Sequence, residues 1–178
     1  MGALVTARAA EPIRVLVDTN AWLSYFLARD DRHAHVDEFI AAAQEGERFA
    51  LYAASLSLKD IASLVSAAMK GAAREAGRQV TPDVVAASRE MAWACIRHVL
   101  ELALVVPIGH AEVLQACTYR TFHDDFEDDL VLAAAERAGA DYILTNDECL
   151  ARRSPIPCLD SEGALRLLRE ATPEAADA

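Results

Sequence analysis

The sequence alternates short, β-branched apolar runs with longer segments in which apolar residues recur at helical spacing. Each apolar run predicts a short strand, and there are five of them, at residues 13–17, 49–54, 104–107, 141–145 and 156–159. Helical patterns separate or follow these runs, at about residues 20–27, 33–44, 57–69, 81–102, 111–119, 127–138 and 161–170.

Residues that start and stop helices sharpen two of these boundaries. Thr81 followed by Pro82 is typical of a helix N-terminus, and Gly139 stands where a C-terminal cap is expected. Residues 70–80 are polar and basic and contain two glycines, so this segment is predicted to be a loop or a frayed helix end.

Strands that alternate with helices indicate a parallel sheet covered by helices on both faces. We therefore predict an α/β protein of three layers, α/β/α, with a central parallel sheet. The chain has 178 residues and no internal repeat, which fits one domain. We expect that domain at residues 13–171, with a flexible N-terminal tail at 1–12 and a disordered tail at 172–178.

The formal net charge of −11 argues against a protein that coats nucleic acid, because such proteins are usually basic. No segment is apolar and long enough to span a bilayer, so no membrane association is expected. The four cysteines form no C-x-x-C pair and are interpreted as small core residues in a reducing compartment. We expect a soluble, cytoplasmic protein.

Acidic residues stand at the junctions that follow the predicted strands. Asp18 comes after the first strand, Asp60 in the first turn after the second, and Asp147 after the fourth. Asp125 and Asp128 lie at the start of a later helix. In a parallel sheet the carboxyl ends of the strands share one edge, where ligands gather, so these acids can converge.

Each acid also has a purely structural interpretation. Asp18 and Asp147 can cap the helices that follow them, and Ser57-x-x-Asp60 resembles a capping box. Capping alone does not require all the acids to fall at the same end of the sheet. Carboxylates brought together repel one another unless a proton or a cation intervenes, and hard divalent cations prefer oxygen ligands. The joint pattern therefore favours a site for a divalent cation.

The chain resembles the PIN-domain ribonucleases, a family that includes many bacterial toxins of toxin–antitoxin pairs. The resemblance is carried by four segments: Val15-Leu16-Val17-Asp18-Thr19-Asn20, Ser55-Leu56-Ser57-Leu58-Lys59-Asp60-Ile61, Asp125-Phe126-Glu127-Asp128-Asp129-Leu130 and Ala140-Asp141-Tyr142-Ile143-Leu144-Thr145-Asn146-Asp147. It implies a PIN-like fold and Mg²⁺- or Mn²⁺-dependent hydrolysis of RNA phosphodiester bonds.

The resemblance also implies roles for single residues. Asp18, Asp128 and Asp147 match metal-binding acids, and all three together with Asp60 match the catalytic set. Asn20, Asp125, Thr145 and Asn146 match positions that line the pocket. The second acid of the family is usually Glu, so Asp60 is one methylene shorter than expected, and Asp129 adds a charge where a small residue is usual.

The remaining expectations concern partners. Lys59, Arg120, Arg152 and Arg153 are candidate contacts to substrate phosphates, with ordinary surface charge as the alternative. The resemblance implies RNA as substrate and points to a cognate antitoxin as a protein partner, and we expect the chain to form a homodimer. The shorter Asp60 and the net charge of −11 keep a second hypothesis open, a non-catalytic PIN-like module that binds RNA or protein.

Overall fold

The structure is a computed structural model that describes residues 11–28, 31–120 and 124–171. The predicted tails at 1–12 and 172–178 lie outside these residues, apart from Glu11 and Pro12. The described chain forms five strands, β1 (Ile13–Val17), β2 (Phe49–Ala54), β3 (Leu104–Val106), β4 (Tyr142–Leu144) and β5 (Cys158–Leu159). It also forms eight helices, α1 (Thr19–Leu27), α2 (Arg32–Glu45), α3 (Ser55–Glu75), α4 (Pro82–Leu102), α5 (His110–Tyr119), α6 (Phe126–Ala138), α7 (Glu148–Arg153) and α8 (Ser161–Ala171).

The five strands form one parallel sheet in the order β3-β2-β1-β4-β5. β1 lies at its centre, and Val15 pairs with Leu51 of β2 on one side and with Tyr142 of β4 on the other. Val15, Leu16 and Val17 are all fully buried, as expected for a strand covered on both faces. The predicted parallel sheet is confirmed.

Helices cover both faces of the sheet. Alternate residues of β1 point to opposite faces, so Val15 and Val17 pack into one core with residues of α1, α2, α3, α4 and α8. Leu16 packs into the second core with residues of α5, α6 and α7. The predicted three-layer α/β/α architecture is therefore confirmed.

Both helix boundary signals are confirmed. Thr81 caps α4, with its Oγ1 accepting a hydrogen bond from the Val84 N–H at 3.4 Å, and Pro82 is the first helical residue. Gly139 ends α6 in the left-handed conformation at φ 61°, which a residue with a Cβ adopts only at a cost.

The prediction of a loop or frayed end at residues 70–80 is wrong for its first half. α3 continues to Glu75, and Ala73 in this stretch is buried, so that tertiary packing outweighs the helix-weakening Gly71. The helix ends at Glu75, Ala76 is its C-cap, and Gly77 follows with φ at 69°. The N–H groups of Gly77 and Arg78 donate to the carbonyls of Arg74 and Ala73, the bond pattern of a Schellman motif.

The capping-box interpretation of Ser57 and Asp60 is also wrong. α3 begins at Ser55 after Ala54, so Asp60 lies in the second turn rather than at the cap. The buried Ser57 Oγ has no hydrogen-bond partner in the described structure. Asp60 therefore has no capping role that would explain its burial.

Only one cysteine fits the core interpretation. Cys95 is buried, Cys149 and Cys158 are half-buried, and Cys117 is exposed on α5, because apolar character alone does not say which helix face a small residue occupies. All four cysteines are free.

Within the residues that the structure describes, no helix has the length and apolar character needed to cross a membrane.

Candidate active site

The candidate site is built where the two central strands end. Asp18 directly follows β1, and Thr145, Asn146 and Asp147 directly follow β4. The two chain segments are joined at this edge because the backbone N–H of Asp18 donates to the carbonyl of Leu144 at 3.0 Å. The sheet topology thus brings together residues that are more than a hundred positions apart in sequence.

Asp18 is held by three donors. Its Oδ1 accepts from the Thr19 N–H at 2.6 Å, which caps α1. Its Oδ2 accepts from Asn20 Nδ2 at 2.7 Å and from Thr145 Oγ1 at 2.8 Å. Asp18 is also only 7% exposed. Burial and these three hydrogen bonds together fix the carboxylate in position at the end of β1.

Asn20 and Thr145 tie the ends of the two strands to each other. The Thr145 hydroxyl gives its proton to Asp18, and its oxygen accepts from Asn20 Nδ2 at 3.0 Å and from the Asp147 N–H at 3.1 Å. Asn20 Oδ1 accepts from the Asn146 N–H at 2.8 Å. The structure thus brings Asn20, Thr145 and Asn146, three of the residues matched to pocket positions, together beside Asp18.

Asp147 has a structural role as well as its place beside Asp18. Its Oδ1 accepts from the N–H groups of Cys149 and Leu150 at 2.7 and 3.0 Å, so it caps α7, a short helix that the sequence pattern did not predict. The capping interpretation of Asp147 is confirmed. It leaves Oδ2 of the half-buried side chain outside that capping interaction.

The surroundings of Asp18 raise the pKa of its carboxyl above the ordinary value. Burial raises the pKa of the Asp18 carboxyl, and the negative charge of Asp147 adds to the rise. Hydrogen bonds from Thr145 and Thr19 oppose it because they stabilise the ionised form. A buried carboxylate with a second acid nearby binds either a proton or a cation more readily than one in water.

Asp60 forms a second acidic pair, with Glu127 of α6. Asp60 is 8% exposed, and its Oδ1 is in contact with Lys59 Nζ at 2.6 Å. Its buried Oδ2 has no hydrogen-bond donor in the described structure. Burial raises the pKa of the Glu127 carboxyl, and the negative charge of Asp60 raises it further, while Lys59 opposes the rise. Glu127 therefore lies close to Asp60.

Glu127 is the acid that sequence reasoning missed. Among the consecutive acids of α6, the prediction selected Asp128 and the N-terminal Asp125. In the structure Asp125 caps α6, accepting from the N–H groups of Glu127 and Asp128, and Asp128 is half-buried in the first turn. Asp129 is buried at 2% exposure, and its charge acts on Tyr119 of α5. Nothing in the local sequence distinguishes three adjacent acids, because only tertiary packing decides which one faces Asp60.

The candidate phosphate contacts are dispersed. Lys59 is the one that contacts an acid of the site. Arg120 pairs with Asp124 at 3.6 Å and Arg152 with Glu148 at 3.2 Å, and all four of these side chains are exposed. Arg153 is exposed at the end of α7. For Arg120 and Arg152 the geometry fits the surface-charge alternative, since exposed ion pairs of this kind contribute little.

The donor chemistry of this edge fits a hard divalent cation. Its candidate ligands are carboxylate oxygens, and within the described residues the buried Asp60 Oδ2 has no hydrogen-bond donor, so a cation could take that place. Among the described residues, however, no three His, Cys, Asp or Glu side chains lie close enough together to hold an ion as they stand. The acids instead form two pairs, Asp18 with Asp147 and Asp60 with Glu127.

The region of the chain that matches a known protein family includes this edge and most of the sheet. The family model described as PIN domain matches residues 14–148, which is most of the chain. The chain belongs to the PIN-domain family. A search of curated proteins found no significant match.

Solved structures share the PIN fold with this chain at low sequence identity. A chain of Rickettsia felis VapBC2, crystallised with a promoter DNA fragment, is 14% identical with a TM-score of 0.57, over 83% of this chain and 98% of that one. Mycobacterium tuberculosis VapC20, described as a Sarcin-Ricin loop cleaving toxin, is 18% identical with a TM-score of 0.55, over 78% of this chain and 93% of that one. PAE2754 from Pyrobaculum aerophilum is 24% identical with a TM-score of 0.54, over 93% and 96%.

Proposed function

We propose that this PIN domain is a Mg²⁺- or Mn²⁺-dependent endoribonuclease that hydrolyses RNA phosphodiester bonds at the edge where β1 and β4 end. The observation that carries the proposal is the buried Asp18 carboxylate, fixed by Asn20 and Thr145 beside Asp147. A carboxylate buried without a compensating cation in the protein is costly, and such a group at the edge where parallel strands end is a functional-site candidate.

The proposed roles follow from these positions. Asp18, Asp147 and Asp128 would hold the ion, with Asp60 acting at its flank. When bound, a divalent ion lowers the pKa of a water molecule and neutralises charge that develops on the phosphate. The protein's own contribution is orientation: Asn20 and Thr145 hold both oxygens of Asp18 in one geometry, which a mobile carboxylate could not keep.

Membership of the PIN-domain family supports a nuclease, and VapC20, which shares the fold, is described as a toxin that cleaves the sarcin–ricin loop. The resemblance to toxins of toxin–antitoxin pairs extends the proposal to a cognate antitoxin as protein partner. A second copy of the chain as partner, and a cytoplasmic location, remain predictions from the sequence. Growth arrest on expression, relieved by co-expression of a neighbouring gene, would support the toxin assignment.

The test of the nuclease is cleavage of labelled RNA by purified protein with and without Mg²⁺ or Mn²⁺. Asp18→Asn and Asp147→Asn are expected to lose cleavage, while Asp37→Asn, an exposed acid on α2, serves as the matched control and keeps it. Circular dichroism and the melting temperature show that each variant is folded. Unchanged cleavage by both site variants would refute the proposal.

A second candidate function, a non-catalytic PIN-like module that binds RNA or protein, is favoured by one observation. Lys59 Nζ already contacts Asp60 Oδ1 at 2.6 Å, which partly neutralises the acid that departs from the usual Glu. This hypothesis predicts that millimolar Mg²⁺ or Mn²⁺ leaves the melting temperature unchanged. A rise in melting temperature that Asp18→Asn abolishes would exclude it, because a ligand that binds the folded state must stabilise it.

A further inference from the structure

A groove of about 510 Å³ runs between α3 and α4, away from the acids of the proposed site. Its walls include Ser63, Ser66 and Lys70 from α3 and Arg89 and Trp93 from α4. Within the described structure none of the residues that line it is acidic. In a chain with 28 acidic and 17 basic residues, a groove lined only by cationic, hydroxyl and apolar side chains is a local reversal of charge.

The two cations of the groove are available to a ligand. Neither Lys70 nor Arg89 forms an ion pair with an acid in the described part of the chain, whereas Arg120, Arg137, Arg152 and Arg166 do. Lys70 is half-buried and Arg89 exposed, so both reach the groove from its walls. Two unpaired cations on opposite walls suit an anionic, extended ligand that passes between them.

Trp93 gives the groove a stacking surface. Its side chain is 59% exposed, although Trp is among the largest apolar residues and usually packs inside a protein. An indole beside cationic side chains is the combination used to bind single-stranded nucleic acid, since every base offers a face for stacking. Apolar residues, Ala62, Ala92, Trp93 and Ile96, make up half of the lining. The other half is Ser, Lys and Arg, whose polar groups an apolar protein helix would leave without partners.

One face of α3 connects the acidic edge with the groove. Four polar residues of α3 are spaced four, three and four positions apart, which places them on one face of the helix: Lys59, Ser63, Ser66 and Lys70. Lys59 contacts Asp60, and Lys70 lies about 16 Å further along the helix at about 1.5 Å per residue. A single-stranded nucleic acid that crosses the acidic edge can therefore continue along this face of α3 and stay in contact with the protein.

One hydroxyl in the groove has a defined hydrogen-bonding state. Ser88 is buried and donates its only hydroxyl proton to the Val85 carbonyl at 2.8 Å, so Ser66 must be the donor in the 3.1 Å contact between Ser66 Oγ and Ser88 Oγ. The Ser66 oxygen is left as an acceptor that faces the groove. An acceptor there suits a ribose 2′-hydroxyl or a base N–H group.

We propose that the α3–α4 groove binds single-stranded RNA, with Trp93 stacking on a base and Lys70 and Arg89 contacting phosphates. The choice of RNA as the ligand rests on the proposed nuclease function. In this nuclease the groove would hold a single-stranded segment of the substrate on one side of the cleavage site.

Binding is tested in EDTA, so that no cleavage occurs, with fluorescein-labelled oligouridylate followed by fluorescence anisotropy. Trp93→Ala is expected to weaken binding about 5- to 150-fold, the range for loss of one stacked base. Log K for oligouridylate binding falls as log salt concentration rises, and each phosphate contact on a single strand contributes about 0.7 to that slope. The double variant Lys70→Ala/Arg89→Ala should therefore have a slope that is shallower by about 1.4.

Matched controls lie on other surfaces. Leu114→Ala removes an apolar side chain that is 56% exposed on α5, and Arg48→Ala removes an exposed charge before β2, at the opposite edge of the sheet. Both should bind oligouridylate as the wild type does. The chain has two tryptophans and Trp22 is buried, so quenching of wild-type fluorescence by unlabelled oligouridylate would report Trp93 directly.

The outcomes separate this inference from the nuclease itself. Oligouridylate binding that depends on Trp93 supports the groove even if no RNA is cleaved with metal present. If RNA is cleaved but Trp93→Ala binds and cleaves like Leu114→Ala, the groove proposal is wrong and the nuclease stands. Binding of an acidic helical peptide, with no response to oligouridylate, would assign the groove to a protein and overturn the proposal.

Discussion

Replacing Thr145 with valine tests whether one hydroxyl holds the edge of the sheet together. Valine has nearly the same shape but no hydroxyl, so the substitution removes the donor to Asp18 Oδ2 at 2.8 Å and the acceptor for the Asp147 N–H at 3.1 Å. Thr145 is 2% exposed, so water cannot easily replace the lost partner. Thr145→Ser keeps the hydroxyl and loses only a methyl group.

The magnitude follows from the contacts. A hydrogen bond to a charged group contributes about 1.5–3 kcal/mol, and the Asp147 N–H left without its acceptor adds about 1 kcal/mol. We expect Thr145→Val to lower the free energy of unfolding by about 2–4 kcal/mol. For a chain of this length, at about 2–4 °C per kcal/mol, the melting temperature should fall by about 4–16 °C. Thr145→Ser should cost about 1 kcal/mol, the value of one buried methyl group.

Urea denaturation of the metal-free protein measures both variants against the wild type. The hydroxyl stabilises ionised Asp18, so the gap between the valine and serine variants should be widest at neutral pH and should narrow as the pH falls and Asp18 is protonated. The reasoning is refuted if Thr145→Val and Thr145→Ser lose the same stability at neutral pH.

Three further predictions concern the rest of the fold. Hydrogen bonds from Arg137 and then from a backbone N–H lower the pKa of the Glu112 carboxyl, so Glu112→Gln should destabilise the protein at neutral pH. The difference in free energy of unfolding between this variant and the wild type, measured by denaturation, should vanish as the pH falls below 4.5 through the folded-state pKa of Glu112. A stability difference that does not change with pH would contradict this. Burial and neighbouring acids raise the pKa of Tyr119 to about 12, so stability should fall between pH 10 and 12, and ultraviolet titration of Tyr119→Phe should lack the last tyrosine to ionise. Gly139→Ala should cost about 1–2 kcal/mol because φ is 61°, whereas Gly71→Ala, inside α3 with open space around its Cα, should stabilise by up to about 1 kcal/mol in the same denaturation assay.

The sheet was predictable because its strands carry their own signal. β1 and β2 have the boundaries that the apolar runs predict, since residues buried on both faces leave a continuous apolar stretch. The far end of α3 was not predictable, because Gly71 and the surrounding charges weaken the local signal. Burial of Ala73 against another element overrides it.

The contacts around Asp18 were predictable for a topological reason. Parallel strands end at one edge, so Asn20 and Thr145 had to meet Asp18 once β1 and β4 were neighbours. The pairing of Asp60 with Glu127 was not, because it depends on how α6 rotates over the sheet. The same applies to the α3–α4 groove, which Lys70 and Arg89 line together only because their two helices pack side by side.

The central position of β1 has a consequence for the protein's synthesis. Of the two strands that pair with β1, β2 is translated soon after it, whereas β4 is translated more than a hundred residues after β1. Asp18 accepts a hydrogen bond from Thr145, 127 positions further along. A nascent or truncated chain that stops before Thr145 therefore exposes Asp18 to water, with neither its hydroxyl donor nor Asp147 beside it. Any activity that depends on this edge is withheld until the ribosome has made most of the chain.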